Sequence, residues 1–255
     1  MGGRGSSSGL SAGGNAGGPG APAPVRSAAD TKDLHELVEY MKTVGPKGIK
    51  LNEQSLSGQN FENVKEAASA IEQIAKEFPQ AASNIRELQG ANLKKGALAN
   101  ASFDGRINLA NHYYGKTEDG LAKNYDHSVQ NGFHPAGSTK GQIAAHEAGH
   151  LLERALIDKY IFSQGYSIYT QMEAVNAWNT SKMSGKVISE ACKAAKKTPG
   201  GKGLKNADLI RNVSGYATKN RSETLAECVA DYHANGANAK PLSVEVWKIL
   251  KRELG

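Results

Sequence analysis

Long apolar runs are missing from this chain. No stretch approaches the roughly 20 consecutive apolar residues of a membrane span. The N-terminus has no apolar segment of the kind a secretory signal needs, so neither a membrane anchor nor ordinary export is expected. Cysteine is scarce as well. Cys192 and Cys228 are the only two, which excludes a disulfide framework or a CxxC metal pair and fits a reducing compartment. Aromatic residues make up 6% of the chain, and the cationic residues behind the net charge of +6 are spread along it rather than gathered in a stripe. A solvated basic surface is expected, with no nucleic-acid partner. No internal repeat is visible, and with 39% hydrophobic residues in 255 the chain can bury a sizeable core.

What is present divides into a tail and one domain. Residues 1–29 are dominated by Gly, Ser, Ala and Pro and read as a flexible tail, with too little apolar surface to offset ordering entropy. Order is expected from Asp30, read as a helix cap. The apolar positions Leu34, Leu37, Val38 and Met41 follow at helical spacing until Gly45 and Pro46. Val64, Ala67, Ala68, Ile71, Ile74 and Ala75 form a long stripe that stops before Pro79, and a short helix is expected from there to Leu88. From Leu93 to Tyr114 the period changes to two, which predicts two or three strands. Residues 117–130 suit a helix, and the turn-rich stretch 131–137 leads into another. Ser138 or Thr139 is the expected cap of that helix, Thr139 with Gln142 forming a capping-box pattern. Further helices are expected over 182–197, 206–213, 220–235 and 241–254.

The helix after residue 139 carries HEAGH, His146 to His150. Two imidazoles four residues apart project from one helix face at a separation that one zinc ion bridges. Ala144, Ala148, Leu151 and Ala155 occupy another face, which would pack on the core. Glu147 falls next to such a metal, where a carboxylate can take a proton from a zinc-activated water and return it to a leaving amine. A catalytic zinc takes three protein ligands and keeps one position open. The continuation HExxHxxGxxH is absent, because HEAGH runs on as LLERAL, so the third ligand must come from elsewhere. Glu223, Glu227 and Asp231 stand at successive four-residue steps of a later helix, opposite an apolar stripe of Leu225, Cys228, Val229 and Tyr232. From helix physics alone that acidic face is equally a solvated one, with Glu223 capping the helix from Asn220.

HEAGH followed far downstream by YATKNRSETLAE, Tyr216 to Glu227, resembles the catalytic domain of anthrax lethal factor and the related phage-borne and toxin zincins. The likeness covers about 90 residues around the two motifs, with no alignable match over residues 31–135. The resemblance implies an α+β, mainly helical zincin-like metallopeptidase domain over residues 30–255, with a small sheet ahead of the HExxH helix. It implies His146, His150 and Glu223 as ligands of Zn2+ and Glu147 as general base. Tyr216 becomes the phenol that supports the oxyanion, and Glu227 the carboxylate that orients a ligand histidine. A peptide substrate would add to an edge strand beside the cleft, for which Ile107 to Tyr114 is the candidate.

The expected activity is zinc-dependent hydrolysis of peptide bonds in a protein or peptide substrate, in a cytoplasmic or virion-associated protein, phage-encoded or toxin-like. The alternative is a non-catalytic phage head-associated protein with a structural zinc. His112, His127, His134 and His233 read as ordinary surface or turn histidines, and Trp178 and Trp247 as core anchors. Residues 161–203 are read as a lid or one wall of the cleft.

Overall fold

The computed structural model describes residues 26–255. The tail expected over 1–29 falls outside the described residues except for its last four, and those are not tail-like. Ala28 is buried, and its N–H donates to Oε2 of the buried Glu72 at 2.8 Å. A 3-10 turn spans Ala28–Asp30. The first helix, α1 (Leu34–Met41), is capped by Asp33 rather than Asp30: the Asp33 side chain accepts from the Glu36 N–H. After a short α2 (Glu53–Leu56), α3 (Phe61–Glu77) begins at Asn60, whose side chain accepts from two N–H groups of the first turn. Its stripe from Val64 to Ala75 is buried as the periodicity predicts.

Four strands form one small mixed sheet: β1 (Lys50–Leu51), β2 (Glu87–Ala91), β3 (Ala99–Ala101) and β4 (Arg106–Ala110). Their order is β1-β2-β4-β3, with β1, β2 and β4 parallel and β3 antiparallel to β4. Two expectations are corrected here. The stretch after Pro79 makes only a 3-10 turn, Ala82–Asn84, and Glu87 and Leu88 belong to a strand, because β1 and β4 offer that backbone partners on both sides. The period-two pattern ends at Ala110, and Asn111–Tyr114 is a single helical turn, α4. Its Tyr114 carbonyl accepts from the Asn60 N–H at 2.9 Å, so the start of α3 holds this segment out of the sheet.

A longer α5 (Glu118–Gln130) follows, capped by Thr117. It precedes the central helix α6 (Gln142–Ile161), which starts at Gln142, later than expected. The Gln142 side chain still reaches back to the Thr139 N–H at 2.7 Å, half of the capping box that the sequence suggests. Beyond it come α7 (Ile168–Asn179), α8 (Lys182–Ala195), α9 (Asn206–Val213), α10 (Arg221–Asn235) and α11 (Pro241–Leu254). The architecture is mainly helical α+β. Among the described residues, no helix is long and apolar enough to cross a membrane.

Helix α6 runs through the core, and its Ala144, Ala148, Leu151 and Ala155 are buried. Its closest neighbour is α10. A Cβ on Gly149 would stand 2.9 Å from the Ala226 Cα and 3.2 Å from the Val229 Cβ, so glycine at this position lets the two helices cross at short range. Leu225, Cys228 and Val229 of α10 are fully buried in this region, and each apolar side chain so buried contributes about 1.5–3 kcal/mol. The two cysteines are free and buried.

Candidate metal centre

The close crossing of α6 and α10 brings together residues 77 positions apart. His146 and His150 project from α6 toward Glu223, near the start of α10. Asn220 caps α10 by accepting from the Glu223 N–H at 2.9 Å, which fixes the Glu223 backbone and leaves its carboxylate free to turn inward. Its Oε2 lies 3.2 Å from Nε2 of His146 and 3.4 Å from Nε2 of His150. These three residues are the group of metal-ligating side chains found among the described residues, with their ligand atoms all within 4.8 Å of one another.

The two distances from Glu223 to the histidines fit zinc. Bonds of about 2.0–2.2 Å to a tetrahedral centre set neighbouring ligand atoms roughly 3.4 Å apart, and nitrogen with carboxylate oxygen is an ordinary zinc donor set. The acidic face of α10 is therefore not solvated: Glu227 and Asp231 are buried and Glu223 is largely so. Asp231 serves the fold. Its two oxygens accept from the Asn235 side chain and from the Lys240 N–H, tying α10 to the start of α11.

Both histidines are oriented from behind. Nδ1 of His150 lies 2.9 Å from the Ser222 Oγ, and that hydroxyl donates to Oε2 of Glu153 at 2.7 Å. Glu153 is fully buried, and its Oε1 accepts from the Ser184 N–H of α8. Nδ1 of His146 lies 2.7 Å from Oε1 of Glu227, an ion-pair contact bent away from ideal hydrogen-bond geometry. The other Glu227 oxygen accepts from the Ser214 hydroxyl at 2.6 Å. With each Nδ1 occupied in this way, each Nε2 is left facing Glu223. Glu227 thus faces Nδ1 of His146, whereas Ser222 and Glu153 carry no signal in the sequence, because nothing in the spacing of SET or LLER announces a relay across 69 residues.

The charges are strongly coupled. Burial pushes the Glu223 carboxyl up, but hydrogen bonds and charge from His146 and His150 outweigh it and hold the group well below the carboxylate range. Burial acts likewise on Glu227, and His134 and His146 bring it down to about 2. Burial opposes charge on His146, yet Glu223 and Glu227 together raise it to about 10.

Tyr216 stands over this group. Its hydroxyl donates to Oε1 of Glu223 at 3.2 Å, and the Lys219 Nζ lies 2.9 Å from the same hydroxyl and 3.1 Å from Oε1. Glu223 thus divides its oxygens, Oε2 toward the histidines and Oε1 toward Tyr216 and Lys219. Burial pushes the phenol up, partly offset by the Lys219 contact. Glu147 is buried, and among the described residues its carboxylate makes no hydrogen bond. It borders two cavities that meet at the centre.

One cavity, about 300 Å³, is lined by the aromatic rings of Tyr113, Tyr125 and Phe133 with Leu98 and Ile143. The other, about 360 Å³, is more polar, with Asn100, Asn179, Ser181, Asn220 and Trp178 on its walls. His146, Glu147 and Tyr216 border both. So does Ala99, in the strand β3 that runs from one cavity to the other. The strand beside the cleft is thus β3, and not Ile107 to Tyr114, because β4 lies inside the sheet between β2 and β3. Trp178 is half-buried at the cleft, edge-on to Phe103 and to His150, while Trp247 packs in the core against Phe78 and Tyr232. Residues 161–203 supply α7 and α8, and Trp178 and Asn179 at the end of α7 form part of one wall.

Comparisons with protein-family models, with characterised proteins and with solved structures return no match, so the reading of this centre rests on its own geometry.

Proposed function

We propose that the protein is a zinc metallopeptidase that hydrolyses peptide bonds in extended segments of a protein or peptide. The observation that carries this reading is the placement of Oε2 of Glu223 at 3.2 and 3.4 Å from the two Nε2 atoms of an HExxH helix, with Glu147 beside them and unpaired. His146, His150 and Glu223 would hold the ion, which when bound polarises a carbonyl and makes water acidic enough to lose a proton near neutral pH. As the water oxygen adds to the carbonyl carbon, Glu147 would take the proton that the water loses and deliver it to the amine nitrogen when the C–N bond breaks. Tyr216 donates its phenolic hydrogen to the oxyanion on exchanging its bond with Glu223.

The free edge of β3 supports a peptide substrate. The Ala110 N–H donates to the Leu98 carbonyl and the Ser102 N–H to the Arg106 carbonyl, so by alternation Ala99 and Ala101 turn their N–H and C=O away from β4 and toward the cleft. A purely structural zinc would call for a fourth protein ligand, and among the described residues the group has three.

The test is metal content and peptide hydrolysis in wild type, Glu147→Gln and Glu223→Ala. About one zinc per chain is expected in the first two and loss in the third, with hydrolysis in wild type alone. A hydrolysing Glu147→Gln protein would overturn the mechanism, and zinc retained by Glu223→Ala would overturn the ligand set. Tyr216→Phe is expected to keep its zinc and lose turnover by about a hundredfold, the scale on which an oxyanion donor acts.

A further inference from the structure

His134 reads in the sequence as an ordinary turn histidine. In the fold it is largely buried, with its ring stacked on Tyr125 at 4.8 Å between centroids and 18° between planes. Its Nδ1 lies 3.2 Å from Oε1 of Glu227, the same oxygen that faces Nδ1 of His146. An ionised carboxylate only accepts, so the His134 Nδ1 bonded to it carries hydrogen, and the negative charge 2.7 Å from the His146 Nδ1 favours hydrogen there too. The turn that bears His134 is also laced to the segment bearing Tyr216. The Gly215 N–H donates to the Gly132 carbonyl at 2.7 Å, and the Tyr216 N–H to the Phe133 carbonyl at 2.9 Å.

We propose that His134 is a positioning residue of the metal centre: its Nδ1–H holds Glu227 against His146, so that His146 keeps its own hydrogen on Nδ1 and presents Nε2 to the zinc. The proposal rests on the zinc reading above and adds a residue that lies outside both sequence motifs. The carboxylate is held by hydrogen bonds from His134 and Ser214 and stands in ion-pair contact with His146. Without the first, Glu227 can swing off the His146 nitrogen, and the ring loses its fixed orientation.

A histidine that merely packs would behave differently, and two substitutions separate the cases. His134→Asn keeps a donor near the place of Nδ1 and removes the stacked ring. His134→Phe keeps the ring and removes the donor. Zinc affinity is measured by competition with a chromogenic chelator on metal-free protein, alongside the visible spectrum of the cobalt-substituted form. His134→Phe is expected to bind zinc about tenfold more weakly with shifted cobalt bands, and His134→Asn to stay within about threefold of wild type. The reverse order, or two variants equal to wild type, would overturn the proposal and leave the metal site standing. A wild type that binds no zinc overturns both. Should His134→Phe not fold, nitrogen-15 correlation spectra of the zinc-loaded wild type decide. Hydrogen on Nδ1 of both His134 and His146 is expected, and hydrogen on Nε2 of His134 would refute the role.

Discussion

Replacing Gly149 by alanine adds one methyl group where α6 meets α10. The new Cβ would stand 2.9 Å from the Ala226 Cα, about half an ångström short of the 3.4 Å at which ordinary contact begins, and the obstacle is backbone, which cannot swing aside. Overpacking of this kind costs about 1–3 kcal/mol. Alanine recovers about 1 kcal/mol of helix propensity, leaving a net loss of about 1 kcal/mol. Gly185, within α8, is the matched control, because a Cβ there meets nothing within 4 Å and only the propensity gain remains. The two variants should separate by about 2 kcal/mol, roughly 4–8 °C in Tm for a domain of this size. Urea and thermal unfolding of metal-free protein measure the difference. Zinc affinity should fall in Gly149→Ala alone, since an α10 displaced by half an ångström carries Glu223 outside the narrow tolerance of a metal–ligand bond. Equal stabilisation by both substitutions would refute the close crossing and with it the account of how the ligands meet.

The coupled charges give a pH signature. In metal-free protein His146 is raised from 6.5 to about 10, so its contribution is complete below pH 6.5 and is lost as pH climbs toward 10. Glu227, lowered from 4.5 to about 2, contributes above pH 4.5 and loses its share as pH falls toward 2. Unfolding free energy without metal should therefore be greatest between pH 4.5 and 6.5 and decline above 6.5, a decline that zinc bound in place of the His146 proton should remove; a metal-free curve that stays flat from pH 5.5 to 8.5 contradicts this. Ser222→Ala should weaken zinc binding about tenfold by releasing His150 from Glu153, and an unchanged chelator titration would rule the relay out. Ala101→Pro removes an outward N–H from β3 without breaking its ladder to β4, so peptide KM should rise while zinc content stays constant; an unaltered KM would mean that substrates do not lie along this edge.

Part of the centre could be read from local spacing, since an i, i+4 histidine pair is a property of one helix, whereas the carboxylates at four-residue steps fit a solvated face equally well and only the resemblance singled out Glu223 and Glu227. The fold brings His146, His150 and Glu223 within 4.8 Å of one another, a convergence of two helices that neither periodicity contains. The burial of α3 and of one α6 face does follow from local spacing. What escaped was the product of distant contacts. His134 earns its place through a carboxylate 93 residues away. Leu88 is a strand residue only because β1 and β4 flank it. Asn111 to Tyr114 alternates like a strand, yet the N-terminus of α3 claims its last carbonyl. Asp30 has the chemistry of a cap, but Asp33 stands nearer the first buried leucine and takes that role.

The free edge beside the centre is only three residues long, Ala99–Ala101, and its side chains are small. At about 3.4 Å per residue it grips roughly 10 Å of a partner. A helix cannot be held that way, because its own backbone bonds already occupy the groups that the edge would pair. Nor can an interior strand, whose neighbours fill both sides. On the proposed function, a peptide bound along β3 would have to arrive with a short stretch of chain already out of its fold, so the edge would select first for local looseness in its partner and only afterwards, through the cavities at either end, for the identity of the side chains.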